Sequence, residues 1–390
     1  MRLLIISHTP HYLQDGIYSG WGPTIREIDH LATRFDEVVH LAPLHREPTP
    51  DSSIAYTQTN IRVHPISPSG GDTFAAKWGV FKHFGEYMAA MNQEWDNADV
   101  IHLRCPANIS LLALLRLCIS TQPKIRWVKY AGNWNPRGKE AFSYTLQRWI
   151  LKKNLHRGVV TVNGEWSGQP NHVLSFYNPS LTAAEQQSAA LAGARKLLAS
   201  PYRLLFVGRL ESAKGVGEIL TIAARLQKCN SPFLLDLVGD GPEKAVFENR
   251  MLDLHLKDKV CFHGWQPRPA LAEYYRRAHF ILLPSSASEG WPKVLSEAMA
   301  YGVVPLASTV SSIPQILAKT GAGVALPASD VDGYVDTILR MIAHPAEWKS
   351  MSTAGIQAAK LFSYDYYLDS VNQVFSTFWN LPITAPKGLN

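Results

Sequence analysis

The feature that most constrains this chain is the alternation of short apolar runs with helical patterns along its whole length. Nearly uninterrupted apolar runs of strand length, with helices between them, are typical of parallel sheets that are covered on both faces. The strands predicted in the amino-terminal half are 3–7, 37–42, 61–66, 100–103, 124–130 and 159–162. Those predicted in the carboxyl-terminal half are 204–207, 234–238, 260–263, 280–283, 303–306 and 324–326.

A stretch without a strand pattern, residues 181–200, separates the two sets of strands. Because each set suffices for one doubly wound α/β domain, we expect two Rossmann-like, parallel-sheet domains that face each other across a cleft. The expected bounds are 1–185 for the first domain, 186–202 for a linker and 203–362 for the second domain. An aromatic-rich amphipathic helix at about 363–380 is expected to pack back on the first domain.

The composition excludes several classes of protein. With 390 residues, 46% of them hydrophobic and 18% charged, the chain is neither disordered nor a small disulfide-stapled domain. Its most apolar stretch, 111–119, is too short to span a membrane. The 4 cysteines are scattered without metal-ligand spacing, which indicates reduced thiols and a cytoplasmic location.

Positive charge is concentrated in residues 101–157, which contain eleven Lys and Arg residues and one acid, Glu140. This bias predicts an anionic partner. Residues 136–157 have the pattern of a basic amphipathic helix. Its apolar side carries Phe142, Leu146, Trp149 and Ile150. Core packing beneath a solvated basic face is one interpretation; peripheral contact with an anionic membrane at its inner face, or with a lipid-linked or phosphorylated acceptor, is the other.

A second informative segment follows the predicted strand at 280–283. Pro292 suits the first position of a helix and Gly302 the residue just past its end, so a helix is predicted over 292–301. The N–H groups of residues 291–295 and the positive end of the helix dipole would then form a site for phosphate oxygens.

Four charged residues are expected around this phosphate site. Glu289 and Glu297 carry carboxylates, which suit the neutral hydroxyls of a sugar or a ribose. Arg209 and Lys214 follow the first strand of the second set, and the carboxyl ends of such strands point toward the ligand crevice. Two fixed cations beside a helix amino terminus can stabilise a diphosphate leaving group without a metal ion.

Short motifs follow one another in the second half of the chain. They are Gly208-Arg209, Lys214-Gly215, Val238-Gly-Asp-Gly-Pro242, Phe262-His-Gly264 and Glu289-x7-Glu297 followed by Ala-Met-Ala. Together they resemble family 4 of the retaining GT-B glycosyltransferases, and the last one matches the E-x7-E motif of that family. The resemblance covers residues 203–365 well and the amino-terminal half in outline. It implies a GT-B fold in which the second domain holds a nucleotide sugar and the first recognises the acceptor.

The resemblance also implies a role for each matching residue. Arg209 and Lys214 match the diphosphate-binding pair. Glu289 matches the acid that contacts the transferred sugar, and Glu297 the acid that holds the ribose. Backbone N–H groups for sugar and phosphate would come from Gly290, Trp291, Pro292, Lys293, Val294 and Leu295.

Loops complete the site that the resemblance implies. His263, Gly264 and Trp265 fall where relatives hold the nucleotide base. In the first half, the segment Ser19-Gly-Trp-Gly-Pro23 resembles the glycine loop near the diphosphate. Within that loop, Gly22 is the best match.

The first domain departs from the family at one position. Many relatives have a histidine that contacts the donor sugar where this chain has Gly132. That role would pass to Asn133 or Arg137, or be absent. His8 and His11 follow the first strand and are candidates for lining the acceptor pocket, whereas a metal site there is not expected because no further ligands cluster nearby.

These observations predict a retaining hexosyltransferase that moves a hexose from a nucleoside diphosphate sugar to the hydroxyl of an acceptor sugar, a lipid-linked acceptor or a small molecule. Neither a metal ion, nor another cofactor, nor a nucleic acid partner is expected. The acidic pair at Asp330 and Asp332 precedes a helical pattern and is interpreted as a helix cap. The alternatives are a GT-B nucleotide sugar epimerase and a non-catalytic protein that binds a nucleotide sugar, or nucleic acid through residues 101–157.

Overall fold

A computed structural model of the chain describes residues 1–69, 82–136, 138, 140–287 and 290–383. The chain divides into two compact units, the first made of Met1–Phe176 and the chain from Tyr367 onward, the second of Tyr177–Tyr366. The division lies near residue 176, not at the expected 185. Residues 183–194 form a helix of the second unit where the linker was expected to begin, because Thr182 and Glu185 make a reciprocal capping box.

Strands and helices follow one another along both units. The strands are β1 (Arg2–Ile6), β2 (His11–Gln14), β3 (Ile17–Trp21), β4 (Glu37–His45), β5 (Ser53–Ala55), β6 (Ile61–Ile66), β7 (Val100–Cys105), β8 (Ile125–Tyr130), β9 (Val159–Asn163), β10 (Val173–Phe176), β11 (Tyr202–Val207), β12 (Phe233–Val238), β13 (Val260–Phe262), β14 (Phe280–Leu283), β15 (Val304–Ser308) and β16 (Val324–Leu326). The α-helices within the described ranges are α1 (Gly22–Ala32), α2 (Phe84–Trp95), α3 (Asn108–Ile119), α4 (Phe142–Lys152), α5 (Ala183–Ala194), α6 (Val216–Lys228), α7 (Lys244–Asp253), α8 (Arg268–Arg277), α9 (Lys293–Ala300), α10 (Ile313–Thr320), α11 (Val331–Ala343), α12 (Pro345–Ala358) and α13 (Tyr364–Trp379).

The first unit contains a parallel sheet with the strand order β6-β4-β1-β7-β8-β9-β10. Successive side chains of a strand point to opposite faces, and β1 shows the result. Leu4 and Ile6 pack into one core with residues of α2, α3 and α4. Leu3 and Ile5 pack into a second core that includes Phe375 of α13. The carboxyl-terminal helix therefore belongs to the layer that covers one face of this sheet.

A small antiparallel extension, formed by β2, β3 and β5, was not predicted. β2 and β3 are joined by a two-residue turn at Asp15 and Gly16, whose φ angles of 51° and 78° fit a type I′ hairpin turn. β3 leads directly into α1, so the extension fixes where that helix begins.

The second unit contains a parallel sheet with the order β13-β12-β11-β14-β15-β16. Its interior strands are almost entirely buried, as expected for a sheet with helices on both faces, and the edge strands β13 and β16 are partly exposed. Every predicted strand of both halves is present, with small shifts at the ends. The predicted α/β class, with two doubly wound parallel sheets, is confirmed.

Candidate active site

The strand order of the second unit reverses between β11 and β14, and ligands of doubly wound sheets bind outside the carboxyl ends of strands at such a point. The loops that leave these two strands are tied together. The carbonyl oxygen of Ala213 accepts hydrogen bonds from Ser286 N at 2.9 Å, Ala287 N at 3.1 Å and Ser285 Oγ at 3.0 Å. The segment that carries Lys214 therefore adjoins the loop that leads toward Glu289. Glu289 itself lies outside the described residues.

Arg209 and Lys214 lie on the loop after β11. The Arg209 side chain is 69% exposed, with its guanidinium 3.4 Å from a carboxylate oxygen of Glu211. Lys214 ends a short 3-10 helix, Ser212–Lys214, and is half-buried. Burial lowers the pKa of Lys214; Glu211 opposes this shift and Arg209 adds to it. A bound anion would favour the charged ammonium, so this pair is suited to phosphate.

The neighbouring loops pack so closely that glycine is required. Gly239 follows β12 with a φ of +135°, and a Cβ there would lie 1.9 Å from the carbonyl oxygen of Gly208. A Cβ on Gly241 would lie 2.4 Å from the carbonyl oxygen of Leu210. Gly239 N also donates to Gly264 O at 2.8 Å. These contacts hold the loops after β11, β12 and β13 at one edge of the sheet.

We expect Gly239→Ala to lower the free energy of unfolding of the second unit by about 3 kcal/mol or more, since it combines backbone strain with a clash. Gly264→Ala is the matched control: its φ of +66° also disfavours alanine, but a Cβ there meets nothing within 4 Å. Its expected loss is about 1 kcal/mol. Denaturant unfolding of both variants measures the difference. Equal losses would show that the loops can separate.

Helix α9 begins one residue later than predicted, because Pro292 is its N-cap and Lys293 its first residue. Gly302 has a φ of +66° just past the helix end, as expected. The prediction that all amides of 291–295 are available is wrong for two positions. Pro292 has no N–H, and Leu295 N donates to Pro292 O at 3.1 Å.

The remaining candidate amides are those of Gly290, Trp291, Lys293 and Val294. The indole of Trp291 is buried and stacks on Phe362, with ring centroids 5.0 Å apart. Only the backbone of Trp291 is therefore a candidate for contact with a ligand.

Glu297 lies on α9, nearly buried, and both of its oxygens have protein partners. Oε1 accepts a hydrogen bond from Arg268 Nη1 at 2.6 Å, and Oε2 accepts one from Tyr275 OH at 2.9 Å. Arg268 Nε also donates to Glu185 at 2.7 Å. Burial alone would lower the pKa of Arg268, but the neighbouring carboxylates of Glu297 and Glu185 raise it above its usual value. Each carboxylate oxygen can accept a further hydrogen bond, so the network orients Glu297 without saturating it.

This network was not predicted from the sequence. Arg268 and Tyr275 are seven residues apart on α8 and therefore lie on the same side of that helix. That spacing was the available signal, but nothing in the sequence identified Glu297 as the partner.

The loop after β13 is held by a side-chain contact. His263 Nε2 lies 2.7 Å from Asp236 Oδ1, and Arg277 contacts the same carboxylate at 2.7 Å. The imidazole of His263 is thus hydrogen-bonded within the protein through Nε2. Gly264, whose Cβ position is open, and Trp265, which is 40% exposed, are the parts of this loop that a base could contact.

Two candidates of the first unit are occupied by internal contacts. Gly22 begins α1, and its N–H donates to Ser52 O at 3.0 Å, so it does not offer an amide to a phosphate. His11 is fully buried, with Nδ1 2.9 Å from Thr9 O and Nε2 2.8 Å from Tyr56 OH. Burial lowers the pKa of His11 to about 4. The expectation that His11 lines an acceptor pocket is not supported by this placement.

The other candidates of the first unit differ in exposure. His8 is exposed, whereas Asn133 is buried and its Oδ1 accepts a hydrogen bond from Asn135 N at 3.1 Å. A Cβ on Gly132 would lie 3.1 Å from Pro106 Cδ, so a histidine at this position would require Pro106 to shift. Arg137 lies outside the described residues.

Within the described ranges, no group of three or more His, Cys, Asp or Glu side chains is placed to hold a metal ion. Asp330 caps α11, its Oδ1 accepting a hydrogen bond from Gly333 N at 3.0 Å, as interpreted from the sequence. No helix in the described parts of the chain has the length and apolarity needed to cross a membrane.

The geometry can be compared with known proteins. Residues 194–358 match the family model of Glycosyl transferases group 1. The chain is 30% identical over 152 residues to the amylovoran biosynthesis glycosyltransferase AmsK of Erwinia amylovora, covering 38% of this chain and 37% of that protein. It is 31% identical over 178 residues to a D-inositol 3-phosphate glycosyltransferase of Thermobifida fusca, covering 43% and 41%. The matches thus span about two-fifths of the length of these relatives.

Solved structures match over almost the whole chain. Sucrose-phosphate synthase from Thermosynechococcus elongatus superposes with a TM-score of 0.70 at 18% identity, covering 97% of this chain and 99% of the other. Anabaena HepE, solved in complex with UDP, gives 0.69 at 13% identity, covering 97% and 100%. At these identities the likeness establishes the fold. The matches confirm the predicted fold and agree with the predicted enzyme class: the chain has the GT-B fold, and its residues 194–358 match the glycosyltransferase group 1 family.

Proposed function

We propose that the chain is a retaining glycosyltransferase that moves a hexose from a nucleoside diphosphate sugar to an acceptor hydroxyl. One observation carries the proposal: Arg209, Lys214 and the amino end of α9 lie at the carboxyl edge of β11 and β14, where the strand order reverses. The group 1 family match covers this edge, and a structural neighbour was solved with UDP.

In the proposed reaction, the bond between the anomeric carbon and the diphosphate oxygen breaks, and a bond from the same carbon to the acceptor oxygen forms on the same face. Negative charge builds on the departing diphosphate. Arg209, Lys214 and the main-chain amides near α9 would stabilise this charge because they are carried by loops that already lie at this edge of the sheet before the reaction begins. A phosphate oxygen takes the acceptor's proton, so no separate general base is required. Retention is supported by the Glu289-x7-Glu297 motif.

In this proposal the carboxylates of Glu289 and Glu297 contact neutral hydroxyl groups of the donor and not its phosphates. Glu297 would accept hydrogen bonds from the ribose hydroxyls, and Glu289 from hydroxyls of the transferred sugar.

We further propose that the first unit recognises the acceptor and that the reaction takes place in the cytoplasm. In support of that location, the cysteines at 105, 118, 229 and 261 are all unpaired.

Activity is expected to persist in the presence of a chelator, because fixed cations replace a metal ion in the proposed mechanism. The measurement is release of nucleoside diphosphate from a panel of nucleotide sugars, with and without chelator and with and without acceptors. Loss of release upon chelation that is restored by one divalent metal would contradict metal independence. Conversion of the donor to an isomer without any acceptor would instead indicate an epimerase.

A further inference from the structure

Helix α4 has apolar side chains on two sides. Ile150 and Leu151 are buried in the core of the first unit, and Leu146 packs against it. Phe142 and Trp149, in contrast, are 80% and 52% exposed. They are seven residues apart and therefore lie on the same side of the helix. The sequence pattern grouped these residues on one apolar side, but the structure divides them into a buried set and an exposed set.

Two further exposed apolar side chains lie at the carboxyl end of α4 and of its neighbour α3. Ile119, the last residue of α3, is 84% exposed, and Leu155, in the turn after α4, is 40% exposed. Arg126 joins the two segments, since its Nη1 donates to Leu117 O at 2.9 Å and to His156 O at 3.0 Å. We call Ile119, Phe142, Trp149 and Leu155 the α3–α4 patch.

The described cations of residues 101–157 fall into two groups, apart from Arg116, which is half-buried and contacts Trp95 and Asn92. Three are buried and a fourth, Arg104, is half-buried, and all four have internal partners: Arg104 and Lys129 with Glu27, Arg126 with backbone carbonyls, and Arg148 with Tyr130 and Glu140.

Another group is exposed and lies at or just after the carboxyl end of α3 or α4: Lys124, Lys152, Lys153 and Arg157. The exposed cations among the described residues of this stretch therefore lie next to the α3–α4 patch. Its one acid, Glu140, is paired with Arg148.

We propose that the α3–α4 patch, with its exposed cations, docks on the surface of an anionic lipid bilayer. Exposed aromatic and aliphatic side chains flanked by Lys and Arg are the chemistry of helices that lie in the membrane interface. A nucleic acid or a soluble polyanion would use the cations but gains little from Ile119 and Leu155, which do not stack on bases. The docking depends on this surface alone and does not rest on the proposed sugar transfer.

The test is sedimentation of the full chain with phosphatidylcholine vesicles, with and without phosphatidylglycerol. We expect binding only to vesicles that contain phosphatidylglycerol, weakened by salt. Phe142→Ala/Trp149→Ala should weaken it at least about tenfold, as should Lys124→Glu/Lys153→Glu. All four positions are exposed, so the variants should unfold at the same temperature as the wild type.

Matched controls are available on the second unit. Leu191→Ala/Leu197→Ala removes apolar side chains that are 60% and 74% exposed, and Lys228→Glu/Lys257→Glu reverses exposed charges. Both controls should bind vesicles like the wild type. Equal binding by the patch variants and the wild type would overturn the proposal. So would binding of RNA or heparin through Lys124 and Lys153 without any binding to vesicles.

Discussion

Replacing Lys214 with alanine is expected to lower the turnover number about 100-fold or more, the usual consequence of removing a group that stabilises transition-state charge. Lys214 adjoins the loop after β14 through Ala213 and has its pKa lowered by burial and by Arg209. Burial strengthens the interaction of its ammonium with a developing anion, because charges attract more strongly where water is partly excluded. The fall should appear in kcat more than in KM, because the charge develops only as the diphosphate leaves.

The matched control for this variant is Lys228→Ala, at the carboxyl end of α6, where the lysine is exposed. It should have wild-type turnover. Steady-state measurement of diphosphate release from both variants, together with their unfolding temperatures, separates a catalytic loss from misfolding. If folded Lys214→Ala turns over as fast as the wild type, Lys214 has no part in the mechanism.

Glu297→Gln is expected to raise the KM for the donor by about 10- to 100-fold, the range for loss of a hydrogen bond to a charged group. The amide keeps the size of the carboxylate but loses one acceptor oxygen and the charge that pairs with Arg268. Because the proposed ribose contact is present in the ground state as well as the transition state, kcat should change less than KM.

Glu185→Gln distinguishes a ribose contact from an indirect effect. Glu185 pairs with the same guanidinium, that of Arg268, but lies on α5. We expect little change in donor KM for this variant. An equal rise in KM for both variants would mean that the carboxylates act only by positioning Arg268, and the ribose contact would be wrong.

The strands were predictable because buried parallel strands have nearly continuous apolar sequences, as in β11 and β14. The hairpin of β2 and β3 was missed because its strands are short and partly exposed. Its turn at Asp15 and Gly16 nevertheless carried a strong local signal, since an Asp-Gly pair favours the type I′ turn. The first domain boundary was misplaced because an alanine-rich helix, α5, has no strand pattern and looks like a linker.

The position of a candidate residue was predictable where its motif lies on one loop, as for Arg209 and Lys214 after β11. It was not predictable where the outcome depends on a distant contact. The amide of Gly22 is taken by Ser52, and Glu297 is held by residues 29 and 22 positions away, Arg268 and Tyr275. Likewise, charge composition does not distinguish a buried cation from an exposed one, because that depends on tertiary packing.

The central claim is that the second unit binds a diphosphate through fixed cations and backbone amides and uses carboxylates only for hydroxyls. A crystal structure of the chain with UDP or GDP tests it most directly. We expect both phosphates within hydrogen-bonding distance of Arg209, Lys214 and the amino end of α9, with the ribose hydroxyls at Glu297. A nucleotide bound elsewhere, or bound with Arg209 and Glu297 turned away from it, would contradict the claim.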